Sequence, residues 1–513
     1  MSIEFGVEPH QKDLPMILEM TRKLQVSTFT YDALDRRTLS QYDDGSTTAF
    51  TYDTAGRLTV AEDSTSGRIE FNYDNLDRLV QELTPQGTVE YQYDAIGRRT
   101  NMTVNGQTPV TYEYDTASRL TQVAQGSQVV SLGYDAAGRR TSLIYPNGVN
   151  TTYTYDFASR LTNILHEGPS SIIEDLTYTY DVAGNRISFT RTSGTSTLLP
   201  DAVQAAYDAA NEQIQFDSTT PNQTYDANGN LTSQTDASGI TTYTWDSRNR
   251  LVGISGPGVS ADFTYDLLDR RIEKSINGIS TQFQYDANNI VAQIGGGSIG
   301  ATYLRSLTID ELFLRRSDSN DYIHTDAIGS TMTLSGDDGI VNTTYSYQPF
   351  GTTSFTGNPS NLQFQFTGRE NDGTGLYYFR ARYHNSTSQR FISEDPIEFI
   401  GQRLNFYSDA LYLLLKPLNE TNLYLYTGNN PVNRIDPTGL NWLKDLTNWW
   451  IYESVVPGPY GQPVSEWGRK GPTEWGDLLK YTEQAGGAWK WAERAAIGTA
   501  TLAAATAAST LTH

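Results

Sequence analysis

Apolar and polar positions alternate in short bursts along residues 28–290. Phe29-Thr30-Tyr31-Asp32, Phe50-Thr51-Tyr52-Asp53, Phe71-Asn72-Tyr73-Asp74 and Tyr91-Gln92-Tyr93-Asp94 open one recurring unit. An alternation with period two places its aromatics on one face of a strand. Each burst ends on Asp, then two residues, then Gly, Asp, Ser or Asn, a pattern suited to a tight turn. Arg-Leu-Thr or a close variant opens the next strand, which stops near signals such as Asn105-Gly106, Asn147-Gly148 and Asn277-Gly278. The unit is therefore a hairpin of two strands. Thirteen copies run from Asp32 to Asp286, mostly 20 or 21 residues apart. Two longer steps, Asp156 to Asp181 and Asp181 to Asp208, predict inserted loops. One hairpin cannot bury its aromatic face alone, whereas a stack of them can.

The repeated Asp and Arg lie four to five residues apart around the turn and read as partners that fix it. With the Tyr residues they are assigned first to holding the sheet together. Sugar contact through exposed Tyr rings is the functional alternative. Asp226-Ala227-Asn228-Gly229-Asn230 begins like a calcium loop, but the twelfth position, where an EF-hand needs Glu, is Ala237; the segment reads as a turn.

This pattern resembles the RHS/YD-repeat family over residues 28–440. The resemblance implies a mainly β fold in which YD-repeat hairpins form a curved, spiralling β-sheet shell, cocoon-like and closed or partly open. About 26 strands at ~4.8 Å each would run ~125 Å, or ~40 Å across if closed as one ring. A compact 73-residue globule has a radius of gyration of ~11 Å, so such a ring is a tight container.

The period changes after Asp286. Gly295-Gly296-Gly297-Ser298-Ile299-Gly300 reads as a flexible break. His324, in Tyr322-Ile323-His324-Thr325-Asp326, invites a catalytic role but is expected to cap a turn. Residues 375–396 then carry Arg380-Ala381-Arg382-Tyr383 and Asp395-Pro396, and residues 428–440 carry Gly428-Asn429-Asn430-Pro431 and Asp436-Pro437-Thr438-Gly439-Leu440. In this order the motifs resemble the RHS repeat-associated core, which is similar to an aspartyl autoprotease. The resemblance implies Asp395 and Asp436 as the two catalytic carboxylates, Arg382 as their support, and a cut between Leu440 and Asn441. The chemistry is coherent. Neighbouring carboxylates share a proton, so one can accept a proton from water while the other donates. A bond held in cis needs no binding step, and no cofactor or metal is required. Read without the resemblance, Asp-Pro steps are ordinary turn sequences. Two departures bear on activity: Glu398 stands where the family has Gly, and 402–419 is an insertion with an apolar run ending at Pro417.

Composition changes the picture at the end of the chain. Seven of the eight Trp lie beyond Asn441, and the last stretch is rich in Ala and Thr. Residues 441–513 read as a short, mainly helical tail. A helical plug packed inside the wall is the leading reading, and a peptide acting at a membrane interface the second. The net charge of −22 disfavours nucleic acid as a partner of the shell. The absence of Cys excludes disulfides and thiolate metal sites. The five His are scattered in sequence without metal-ligand spacing. The first residues lack the pattern of a signal peptide, which implies a dedicated export route, to the medium or the cell surface, or a longer parent chain.

These readings divide the chain into a lead-in (1–27), YD repeats (28–293), an associated core (294–440) and a variable C-terminal region (441–513). They predict a bacterial β-shell protein that encapsulates and self-cleaves its own C-terminal segment as cargo, of the polymorphic-toxin kind. Upstream shell or delivery proteins would be partners, and membrane contact would be confined to the tail. The alternatives are a non-enzymatic surface or adhesion scaffold binding carbohydrate, or a degenerate fragment of a larger protein.

Overall fold

The computed structural model describes residues 17–22, 25–192, 194–195, 204–218, 220, 222–396 and 422–440, with side chains from residue 26 onward except at 194–195. The tail, Glu398 and the insertion 402–419 lie outside the described residues.

The predicted hairpins are present. Eighteen strands from Ile17–Arg22 to Gly194–Thr195 form one antiparallel sheet, each strand paired with its neighbours in sequence. A two-stranded piece follows, then a fourteen-stranded meander from Gln223–Tyr225 to Thr353–Gly357. The last sheet has four short strands, Glu370–Asn371, Leu376–Phe379, Arg382–Asn385 and Arg390–Phe391. Burial alternates as the pattern requires. In Gly67–Tyr73, Ile69 and Phe71 are buried while Glu70 and Asn72 point outward.

Each turn is built the same way. Asp53 Oδ1 accepts the amides of Ala55 and Arg57, both at 2.9 Å, and Oδ2 accepts Arg57 Nε at 2.6 Å. Arg57 also reaches the next repeat, donating Nη1 to Asp74 O at 3.1 Å and lying 4.9 Å from the centre of the Tyr73 ring. Tyr73 in turn donates its hydroxyl back to Leu58 O at 2.8 Å. The contacts recur at Asp94/Arg98/Tyr114 and Asp135/Arg139/Tyr155. The repeated Asp, Arg and Tyr are thus consumed in joining each hairpin to the next, as the structural reading expected. Asp226 likewise closes a turn, accepting the amides of Asn228 and Asn230 at 2.8 and 3.0 Å.

Three expectations are corrected. Gly295–Gly300 is no break: Asn289–Gly295 and Ser298–Arg305 pair as a hairpin, turned by Gly296 and Gly297 at φ +58° and +79°. Its glycines supply the left-handed backbone of a two-residue loop rather than slack. The long step from Asp156 to Asp181 is taken up largely by longer strands, Leu161–Glu167 and the nine-residue Ile172–Tyr180, because the alternation simply continues. His324 caps no turn. It sits in Asn320–Thr325, fully buried, with Nε2 2.8 Å from Ser335 Oγ.

The two large sheets meet along a seam that a sequence period cannot reveal. Arg248 pairs with Asp63 at 2.6 Å, Arg270 with Glu82 at 2.8 Å and Arg99 with Asp286 at 2.6 Å; Arg140 pairs with Glu311. Tyr145 donates to Ile323 O, and Asn147 to Ser335 Oγ. His166 joins Thr325 O at 3.0 Å, with its ring centre 5.4 Å from that of His324. Between them lies a shared core containing Val89, Tyr91, Met102, Val130, Val291, Leu304 and Phe313. Partners advance together along the chain. Their separations run from 185 and 188 residues early to 159 and 154 late. An offset that keeps its direction is the signature of a ribbon winding alongside its own earlier course. One course spans ~18 strands, or ~85 Å of sheet.

Among the described residues, no helix is long and apolar enough to cross a membrane, and no group of three or more His, Cys, Asp and Glu could hold a metal.

Candidate functional site

The four-stranded sheet positions the candidate site. Phe379 and Arg382 close its central hairpin, with Arg380 at the turn in left-handed backbone, φ +56°. Beneath lies an aromatic cluster of Phe350, Phe366, Tyr377, Phe379, Phe391 and Tyr426. The Arg382 guanidinium rests 3.7 Å from the centre of the Phe391 ring, so packing fixes its plane.

Arg382 brings the two aspartates together. Its Nη2 lies 2.9 Å from Asp395 Oδ2 and 3.3 Å from Asp436 Oδ2. Nη1 donates to Leu423 O at 2.9 Å, and Nε donates to Gly439 O. The Asp395 amide also bonds Leu423 O, at 3.1 Å, tying Asp395 and Arg382 to one backbone position. Asp436 is the more deeply buried, with 2% of its side chain exposed against 14% for Asp395.

Asp436 also holds the segment expected to be cut. Its Oδ1 accepts the amides of Gly439 at 2.9 Å and Leu440 at 3.2 Å. Residues 436–440 form a strap laid over the 379–382 hairpin. Ala381 N donates to Thr438 O at 3.1 Å, and Arg380 Nη1 donates to Pro437 O. Gly439 has φ +72°, and a Cβ there would sit 2.2 Å from Phe379 O. Only glycine allows so close an approach. Asn441 lies outside the described residues.

The structure thus places Arg382, Asp395, Asp436 and Leu440 in one cluster. The sequence reading missed Leu423, whose carbonyl carries no side-chain signal. It also missed Arg380 and Asp310, which pair at 2.7 Å behind the strap. Arg380 belongs to the same Arg-Ala-Arg box as Arg382 and could have been found there. Burial pushes the His384 imidazole down to about 4; its Nε2 lies 2.9 Å from Phe350 O.

A ribbon of YD hairpins wound along itself, feeding a compact core that carries its own C-terminal strap, is a YD-shell architecture. Comparison with known proteins agrees: the Teneurin YD-shell family profile matches residues 1–148 and 141–432, and the chain belongs to that family. The toxin subunit YenC2 of Yersinia entomophaga is 32% identical over 120 residues, 22% of this chain and 10% of that protein. The tRNA nuclease WapA of Bacillus subtilis (strain 168) is 27% identical over 297 residues, 53% of this chain and 11% of that protein. The solved TcdB2-TccC3 structure aligns with a TM-score of 0.57 at 17% identity, covering 81% of this chain and 28% of that one. The chain therefore spans about a tenth of these curated relatives and just over a quarter of the solved chain.

Proposed function

We propose that this chain is the self-processing end of a toxin-type YD shell, cutting Leu440–Asn441 to free the segment beyond. The observation that carries it is the double use of Asp436, which shares the Arg382 guanidinium with Asp395 and holds the Leu440 amide at 3.2 Å. An aspartate in an ordinary turn has no need of a second carboxylate at its back.

In this reading Asp395, Asp436 and Arg382 together carry a net charge of −1, so one proton neutralises the trio. Asp395, the more exposed acid, accepts a proton from the water that attacks the Leu440 carbonyl carbon. The tetrahedral intermediate collapses as the Leu440–Asn441 bond breaks, and the proton passes to the departing Asn441 amine. Asp436 keeps the strap in place, and Arg382 holds both acids in register. Residues 441–513 are the cargo. The wall encloses it, and the remainder of the wall and the export route come from outside this chain. The toxin relatives favour an extracellular destination.

Denaturing mass spectrometry tests the cut. The wild type should give two chains parted after Leu440, and Asp436→Asn and Asp395→Asn one chain each. An intact wild-type chain would sink the proposal. The adhesion alternative loses ground because the repeat Tyr rings lie under Arg guanidinium groups and their hydroxyls bond backbone carbonyls.

A further inference from the structure

Behind the strap, two buried guanidinium groups, those of Arg305 and Arg369, and the half-buried one of Arg380 gather around one carboxylate. Asp310 accepts from Arg369 Nη2 and from both Arg380 nitrogens, Nη2 at 2.7 Å and Nη1 at 3.2 Å. Arg305 approaches from the end of its strand, with Nε on Ile290 O at 2.7 Å and its guanidinium 4.3 Å from the centre of the Phe364 ring. Arg305 and Arg369 are 5% and 2% exposed. Glu370, which also acts on Arg369 and Arg380, is taken. It pairs with Arg271, and with Asp372 and Lys274 these four close a balanced network of two positive and two negative charges. Three positive charges therefore face a single negative one.

The excess has unused donors. Arg369 Nε and Nη1 and Arg305 Nη2 are buried and have no hydrogen-bond partner among the described residues. A buried guanidinium with free N–H groups and no counter-charge is among the costliest arrangements a core can contain. Burial, reinforced by mutual repulsion, draws the Arg305 and Arg369 guanidinium groups down to about 10. Both remain charged at neutral pH.

We propose that the Arg305–Arg369–Arg380 cluster is a binding site for a small monovalent anion of the chloride class. Burial rules out anything large, and a spherical or compact anion can accept from several guanidinium groups at once. The anion would supply the missing charge beside Asp310 and so steady Arg380, which grips the strap at Pro437 O. This assignment stands whether or not the chain cuts itself.

The experiment is thermal unfolding of the full chain at constant pH and ionic strength in sodium gluconate, chloride or bromide. General salt effects favour the excluded, strongly hydrated anion. A specific site predicts the reverse order: an apparent Tm about 1–3 °C higher in chloride or bromide than in gluconate, saturating with concentration. Arg369→Met should abolish that difference. Equal Tm in all three salts, or the same chloride dependence in Arg369→Met, overturns the proposal. If Arg369→Met fails to fold, bromide-soaked crystals decide. Anomalous density between Arg305 and Arg369 supports the site, and its absence refutes it.

Discussion

Gly439→Ala is the sharpest probe of the strap. Alanine at φ +72° costs about 1–2 kcal/mol through its Cβ. That Cβ would also stand 2.2 Å from Phe379 O and 3.0 Å from Arg382 N, both backbone atoms of a hairpin buried over the aromatic cluster. Backbone cannot swing aside as a long side chain does, so the strap must lift by more than an ångström. Lifting breaks the Ala381 N–Thr438 O bond, worth about 1 kcal/mol, and the charged Arg382–Gly439 O bond, worth about 2 kcal/mol. The local loss is about 4 kcal/mol, enough to leave the strap undocked roughly a thousandfold more often. Hydrogen exchange at the Ala381 amide reads this directly, and intact-mass analysis reads the consequence for cleavage. Protection at Ala381 should collapse while the YD hairpins stay protected, and the chain should remain whole. Wild-type protection of that amide in Gly439→Ala would refute the steric argument, whatever happens to cleavage.

Further tests follow from the same contacts. Arg248→Met leaves the buried Asp63 carboxylate without its ion-pair partner and should cost about 3 kcal/mol in denaturant unfolding, against less than 1 kcal/mol for the exposed Arg68→Met. Tyr265→Phe removes a hydroxyl that bonds Leu251 O and the Tyr383 hydroxyl, both at 2.7 Å, and should cost about 1–2 kcal/mol in the same assay. Burial holds the His166 and His384 imidazoles down to about 4, so each is neutral in the fold where the unfolded chain would take a proton. Their contribution is complete above pH ~6.5 and is lost on acidification towards pH 4, at about 1.4 kcal/mol per pH unit for each histidine. His166→Gln and His384→Gln should each flatten that acid slope, and an unchanged slope would contradict the assignment.

How much of this was legible in the chain depends on the range of the interaction. The turn at Asp53 and its Arg57 partner lie four residues apart, so composition and spacing disclosed them together. The Arg57 link to Tyr73 repeats with the period and was implicit in it. The seam was not legible. Nothing near Glu82 points to Arg270, because their meeting depends on the curvature accumulated over the intervening hairpins. His324 misled for the same reason: its surroundings come from another course of the ribbon, not from its neighbours in sequence. The meeting of Arg382, Asp395 and Asp436 was foreseen through family likeness. Leu423 was not, since a carbonyl acts through where it stands rather than what it is.

The one-way offset along the seam behaves like the pitch of a screw thread. Removing one 20-residue unit from the first course would not open a local gap. It would slide every later tooth against the wrong groove, setting Arg248, Arg270 and Asp286 each opposite a position built for another partner. The number of units between Asp63 and Arg248 is therefore a dimension of the molecule, because it sets which residues meet across the seam.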